Sequence, residues 1–71
     1  MKISSGKDFG AEIKKRRKKL GYTQAYLAEF TGFSVSFISD LERGKTTAEL
    51  GKALALANML GLDCLLQERG A

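Results

Sequence analysis

The stretch that decides the reading is TQAYLAEFTGFSVSFISDLER, residues 23–43. Thr23 stands as an N-cap for QAYLAEFT, whose Leu27, Ala28 and Thr31 recur at inward helical spacing before Gly32 stops the segment. After the link Gly32-Phe33, Ser34 caps VSFISDLER, with Phe37, Ile38 and Leu41 on the inner side and Gly44 beyond the end. Two short helices therefore meet across a tight turn, with a glycine where positive φ is required and the small Ala28 where the helices cross. This spacing is that of a helix-turn-helix, and it also fits an ordinary αα-corner, so the flanks have to decide.

Upstream, KKRRKK at 14–19 is six consecutive cations. At helical spacing Phe9, Ile13, Arg16, Arg17 and Leu20 share one stripe, while Lys14, Lys15, Lys18 and Lys19 fall largely on other faces. The run therefore belongs to a helix and not to a tail. Ser5 followed by Asp8 has the form of a capping box and Gly21 fits a left-handed C-cap, which predicts a helix from 6 to 20. Arg17, one turn after Ile13, points partly inward and requires an anionic partner.

Downstream, TTAE from Thr46 predicts another capping box with Glu49, opening a helix whose stripe is Leu50, Ala53, Leu54, Ala57 and Leu60 and which Gly61 ends. Leu56 and Met59 lie off that stripe and fit either an interface or the core. The remainder, LDCLLQER, alternates Leu62, Cys64 and Leu66 against Asp63, Leu65 and Gln67, which predicts a strand over 62–68. A lone strand needs a partner, and everything upstream reads helical. The expected partner is the same segment of a second copy, with Leu62, Cys64, Leu65 and Leu66 at the dimer interface; packing on its own helices is the other reading.

Composition narrows the function. The chain has 71 residues, a size at which one core is marginal without help, and it contains no His, Pro or Trp. The lone Cys64 cannot close an intrachain disulfide, and no P-loop, dinucleotide glycine pattern or metal-ligating cluster is present, so no cofactor, metal or catalytic residue is expected. The N-terminal MKISSGKDFG lacks an apolar signal core, and no apolar run approaches the roughly 18 residues needed to cross a bilayer. A cytoplasmic protein without a membrane partner is expected. Net charge is +4, but residues 1–19 carry eight cations against Asp8 and Glu12, a local +6 that leaves the remainder at −2. Such polarity suits a polyanion, and equally a solvated face that aids solubility. Tyr22, Tyr26 and Phe30 lie on helices, where core and turn packing is expected of them rather than nucleobase stacking.

Residues 16–45, RRKKLGYTQAYLAEFTGFSVSFISDLERGK, resemble the Cro/C1-type helix-turn-helix family of phage repressors and their bacterial relatives. The shared elements are LG-x-TQ-x-x-LA and x-IS-x-LE-x-G. The succeeding stretch, TTAELGKALALANMLGLDCLL, is similar to the HipB-type antitoxin branch, in which a fourth helix precedes a short strand. The resemblance implies an all-α, lambda-repressor-like domain of four to five helices over 1–71, with the 62–68 strand pairing across a dimer.

It also implies roles. Arg17 is expected to pair with Glu42 as a structural ion pair, which gives the inward arginine its anion. Gln24, at the start of the second helix, is expected to clasp a phosphate together with the exposed backbone N–H groups. The third helix is expected in the major groove, offering Ser34, Val35 and Ser36, then Ser39 and Asp40. Val35 suits a thymine methyl, the serines donate or accept, and Asp40 suits a cytosine amine; none of these is an arginine or glutamine for bidentate readout. Arg43, Lys45 and Thr46 are expected on phosphates, and the helix 1 lysines are left unassigned. The function implied is a dimeric repressor on a palindromic double-stranded operator, or an antitoxin that mainly docks a HipA-like kinase toxin.

Overall fold

The structure is a computed structural model that describes residues 2–70. Four helices follow one another: α1 Gly6–Lys19, α2 Gln24–Thr31, α3 Val35–Glu42 and α4 Leu50–Met59. Local chemistry fixes most of their ends. Ser5 Oγ accepts the N–H of Asp8 at 3.1 Å, and Asp8 reaches back to the N–H of Ser4 at 3.0 Å, one residue further out than a standard capping box. Thr23 and Ser34 cap α2 and α3 in the same way, each taking the N–H three residues on. Basic residues 16–19 crowd the last turn of α1, where the helix dipole favours them.

The core joins all four helices through Ile13, Leu27, Ile38, Leu41, Ala53, Leu56, Ala57 and Leu60, with Phe9, Phe33, Phe37 and Leu62 packed against it. Each fully buried large aliphatic contributes about 1.5–3 kcal/mol relative to exposure. The closest crossing is between α1 and α3. Gly10 is buried there, and a Cβ on it would lie 2.1 Å from the carbonyl oxygen of Leu41. At the same seam Gly44, with φ +85°, ends α3 against the backbone of Lys7, and its own Cβ would meet Lys7 Cα at 2.7 Å. Two glycines thus let α1 lie directly on the end of α3. From the other flank of α1, Arg16 Nε donates to the carbonyl of Leu60 at 2.7 Å, placing a cation on the C-terminal end of α4.

Four expectations need correction. Helix α4 begins at Leu50 and not at Thr46; its N-cap Glu49 makes no side-chain cap bond and pairs instead with Lys52 at 3.6 Å. The reason is connectivity. Gly44 reverses the chain and Ala48 tucks against the core, so residues 45–49 serve as the bridge between helices. The inward face of α4 is Ala53, Leu56, Ala57 and Leu60, with Leu56 fully buried and Leu50 exposed. This is the expected stripe turned about the helix axis, since both versions share Ala53, Ala57 and Leu60.

The predicted strand at 62–68 is absent among the described residues. Leu62 is half-buried against the core and its N–H closes the end of α4 on the carbonyl of Ala57 at 2.9 Å. Beyond it Cys64, Leu65 and Leu66 are exposed. With no second backbone alongside, an extended segment has no ladder to join. Tyr26 and Phe30 likewise stand outside the core, 52% and 61% exposed, stacked on each other along the outer side of α2, while Tyr22 packs inward.

Two glycine replacements are expected to separate in sign. Gly10→Ala lowers stability by at least about 1–3 kcal/mol, because the obstacle is backbone. Gly51→Ala, at an exposed position in the first turn of α4, raises it by roughly 0.5–1 kcal/mol, its Cβ meeting nothing nearer than Glu49 Oε1 at 3.9 Å. Urea denaturation of both variants checks this.

Candidate nucleic-acid interface

The turn between α2 and α3 holds the two helices so that the N-terminus of α2 and the outer side of α3 are presented together. Its geometry rests on one carboxylate. Arg17 Nε donates to Glu42 Oε2 at 2.7 Å and Arg17 Nη2 to Oε1 at 3.0 Å, while Nη1 donates to the carbonyl of Tyr22 at 2.8 Å. Gln24 Nε2 adds a further bond to Glu42 Oε1 at 3.1 Å. Both charged side chains are buried, at 9% and 3% exposure, and no buried side-chain polar atom among the described residues lacks a partner. The hydrogen bond to Glu42 and its charge hold the Arg17 guanidinium above its ordinary range, against the opposing effect of burial.

Gln24 is thereby fixed at the first position of α2, half-buried, with one amide hydrogen and its carbonyl left for an outside partner. The Thr23 hydroxyl accepts from Tyr26, so the N–H groups of Gln24 and Ala25 have no intrahelical acceptor and face outward with it. This is the arrangement that binds an anionic oxygen at a helix N-terminus.

On α3, Ser34, Val35 and Ser36 are all exposed at the first turn. Ser34 Oγ is occupied as an acceptor by the Phe37 N–H and keeps its own hydrogen for donation. Ser39 and Asp40 follow on the same outward side, half-buried. Neither is free. Arg43, at the C-cap, donates from Nη1 to Ser39 Oγ and from Nη2 to Asp40 Oδ1, and Lys45 Nζ reaches Asp40 Oδ2 at 3.3 Å. Thr46 is exposed beside Lys45 in the α3–α4 connection. Hydrogen bonds thus link Gln24 to Glu42 at the end of α3, and Ser39 and Asp40 to Arg43 and Lys45 beyond it. Leu62, Cys64, Leu65 and Leu66 lie on a separate segment.

Two features of this surface are not evident from the sequence. Arg43 ends the predicted third helix and is expected on a phosphate, yet in the fold its side chain turns back onto α3, at the azimuth it shares with Ser36 seven residues before. The close seam at Gly10 and Gly44, which brings Lys7 beside the Arg43–Lys45 loop, has no local signature beyond a glycine inside a helix.

A family described as helix-turn-helix matches residues 13–66. The chain belongs to the Cro/C1-type helix-turn-helix family. Over 60 residues this helix-turn-helix protein is 40% identical to an uncharacterized HTH-type transcriptional regulator, y4mF, of Sinorhizobium fredii (strain NBRC 101917 / NGR234), covering 84% of this chain and 79% of that one. Among solved structures it is similar to a HipB variant in complex with the O2 20mer, at a TM-score of 0.87 and 28% identity, covering 97% and 96% of the two chains. It is also similar to HipB in the HipA-HipB-O2-O3 complex, at a TM-score of 0.86 and 26% identity over 97% of each chain. No helix among the described residues is long and apolar enough to cross a membrane.

Glu42→Ala is expected to cost about 3–5 kcal/mol, since it strands the buried Arg17 charge. Replacing both partners with apolar residues of similar volume recovers part of that loss, a comparison that chemical denaturation makes directly. Because the folded-state value of Arg17 lies above the unfolded one, the stabilisation is fully present from neutral pH up to the ordinary guanidinium range and falls as pH climbs through the folded value. Stability curves at pH 6 and pH 9, about three decades of proton activity below that range at the least, should therefore show no loss from this group.

Proposed function

We propose that residues 1–71 act as a single DNA-binding domain, a sequence-specific regulator that represses transcription from a double-stranded operator. One observation carries this reading: the N-terminus of α2 and the exposed first turn of α3 are held at a fixed angle by a shared carboxylate, Glu42, on a chain similar to HipB bound to its O2 20mer. Gln24 with the free N–H groups of α2, and Lys45 with Thr46 beyond α3, bracket the recognition helix and take phosphates on either side of the groove. Ser34, Val35, Ser36 and Ser39 are small. They let α3 approach the base edges closely, with hydroxyl and methyl contacts, bridging water and duplex shape supplying the discrimination.

Two copies present two such helices to half-sites about 34–36 Å apart, one helical turn of DNA. Leu62, Cys64, Leu65 and Leu66 supply the dimer contact in this reading, because Leu65 and Leu66, at 80% and 102% exposure, stand outside the core. The protein acts by binding and not by catalysis, in the cytoplasm. A second reading, an antitoxin whose main partner is a HipA-like kinase, is favoured by the likeness to HipB within the HipA-HipB-O2-O3 complex. Co-purification with the product of a neighbouring kinase gene tests that reading separately.

The DNA reading is tested by titrating labelled duplexes at several salt concentrations. A dimer that neutralises about six to ten phosphates loses roughly 10³–10⁵ in affinity between 50 and 200 mM salt. A flat response with equally weak binding to every duplex would sink the proposal.

A further inference from the structure

The outward side of α3 carries an arginine. Ile38 and Leu41 point into the core and Glu42 toward Arg17, so the opposite azimuth belongs to Ser36 and, seven residues later, Arg43. The Arg43 side chain is 68% exposed, yet its head does not trail along the loop. Nη1 bonds Ser39 Oγ and Nη2 bonds Asp40 Oδ1, which folds the guanidinium back over the last turns of the helix. The other oxygen of Asp40 takes Lys45 Nζ at 3.3 Å. Asp40 thus bonds a cation through each oxygen, and the carboxylate serves as the anchor of Arg43 and Lys45.

Resting on the reading of α3 as the recognition helix, we infer that Arg43 is the base-reading residue, taking O6 and N7 of a guanine, and that Asp40 and Ser39 position it. The donor count allows this. A guanidinium has five N–H groups in one plane; the brace uses two, and three remain where a bidentate contact needs two. The brace also holds a long side chain in place before DNA arrives, which removes part of the ordering cost of binding. Asp40 offsets one cation locally, so the face is not attracted indiscriminately to phosphate and gains most where a guanine completes the pair. Lys45, a point charge without the planar fork, cannot substitute for Arg43.

Selection from random duplex DNA with the full-length wild type, R43Q, R43K and D40N in parallel tests this, with thermal melts confirming that each variant folds. The wild type is expected to enrich one G·C pair per half-site. R43Q and R43K lose the preference at that pair alone, a drop of about 5- to 150-fold in discrimination, and D40N keeps it in weakened form. A uniform loss of affinity over all sequences on R43Q, with the enriched site unchanged, would make Arg43 a phosphate contact and overturn the inference. A cytosine preference that D40N erases and R43Q leaves intact would overturn it too, by making Asp40 the reader. If the wild type binds duplex yet enriches no guanine, only this inference falls; if it ignores duplex in dilute salt, the DNA reading falls first.

Discussion

The structure depends on a buried guanidinium meeting a buried carboxylate. Arg17 comes from α1 and Glu42 from the last turn of α3, and between them they also bind the carbonyl of Tyr22 and the amide of Gln24. Four separate pieces of the chain are thereby brought to one point. The net contribution of such a pair to stability is small once desolvation is counted, but either charge without the other is costly, so alternative packings of α1 on α3 are disfavoured. The pair selects an arrangement more than it strengthens one. Apolar burial by Ile13, Leu27, Ile38, Leu56 and Leu60 supplies the driving force.

Around that point the backbone itself is closely fitted. Gly10 allows α1 to touch the carbonyls of Leu41 and Glu42, and Gly44 turns the chain against Lys7. Both contacts lie at the end of α3 that carries Arg43 and Lys45. The position of the outward cations is therefore set by main-chain contact and not by flexible side-chain packing alone.

What could be read from the sequence is what short-range chemistry decides. Ser5, Thr23 and Ser34 are caps because their hydroxyls reach an N–H three residues away, and glycines at 21, 32 and 44 end helices through positive φ. The core positions of α1 to α3 follow from periodicity, and the need of Arg17 for an anion follows from its place beside Ile13. Longer-range matters do not. The start of α4 depends on how far residues 45–49 must travel, and its rotation on which flank α1 and α2 leave open, so Leu56 and Leu50 exchange roles. Alternation at 62–68 indicates a strand, but pairing requires a neighbour that periodicity cannot supply. Arg43 stands three and four residues after Asp40 and Ser39, a spacing at which helical side chains meet, but spacing alone does not decide that its head turns back to both of them.

Glu42 has one further consequence. The same carboxylate that anchors α1 also steadies Gln24, so a substitution there loosens α1 and the start of α2 at once. Ser34, Val35 and Ser36 take no part in that hub; their side chains stand in solvent, apart from the Ser34 cap bond. Val35 and Ser36 can therefore be exchanged while the scaffold stays constant, which makes that outer turn an interchangeable cassette on a fixed chassis.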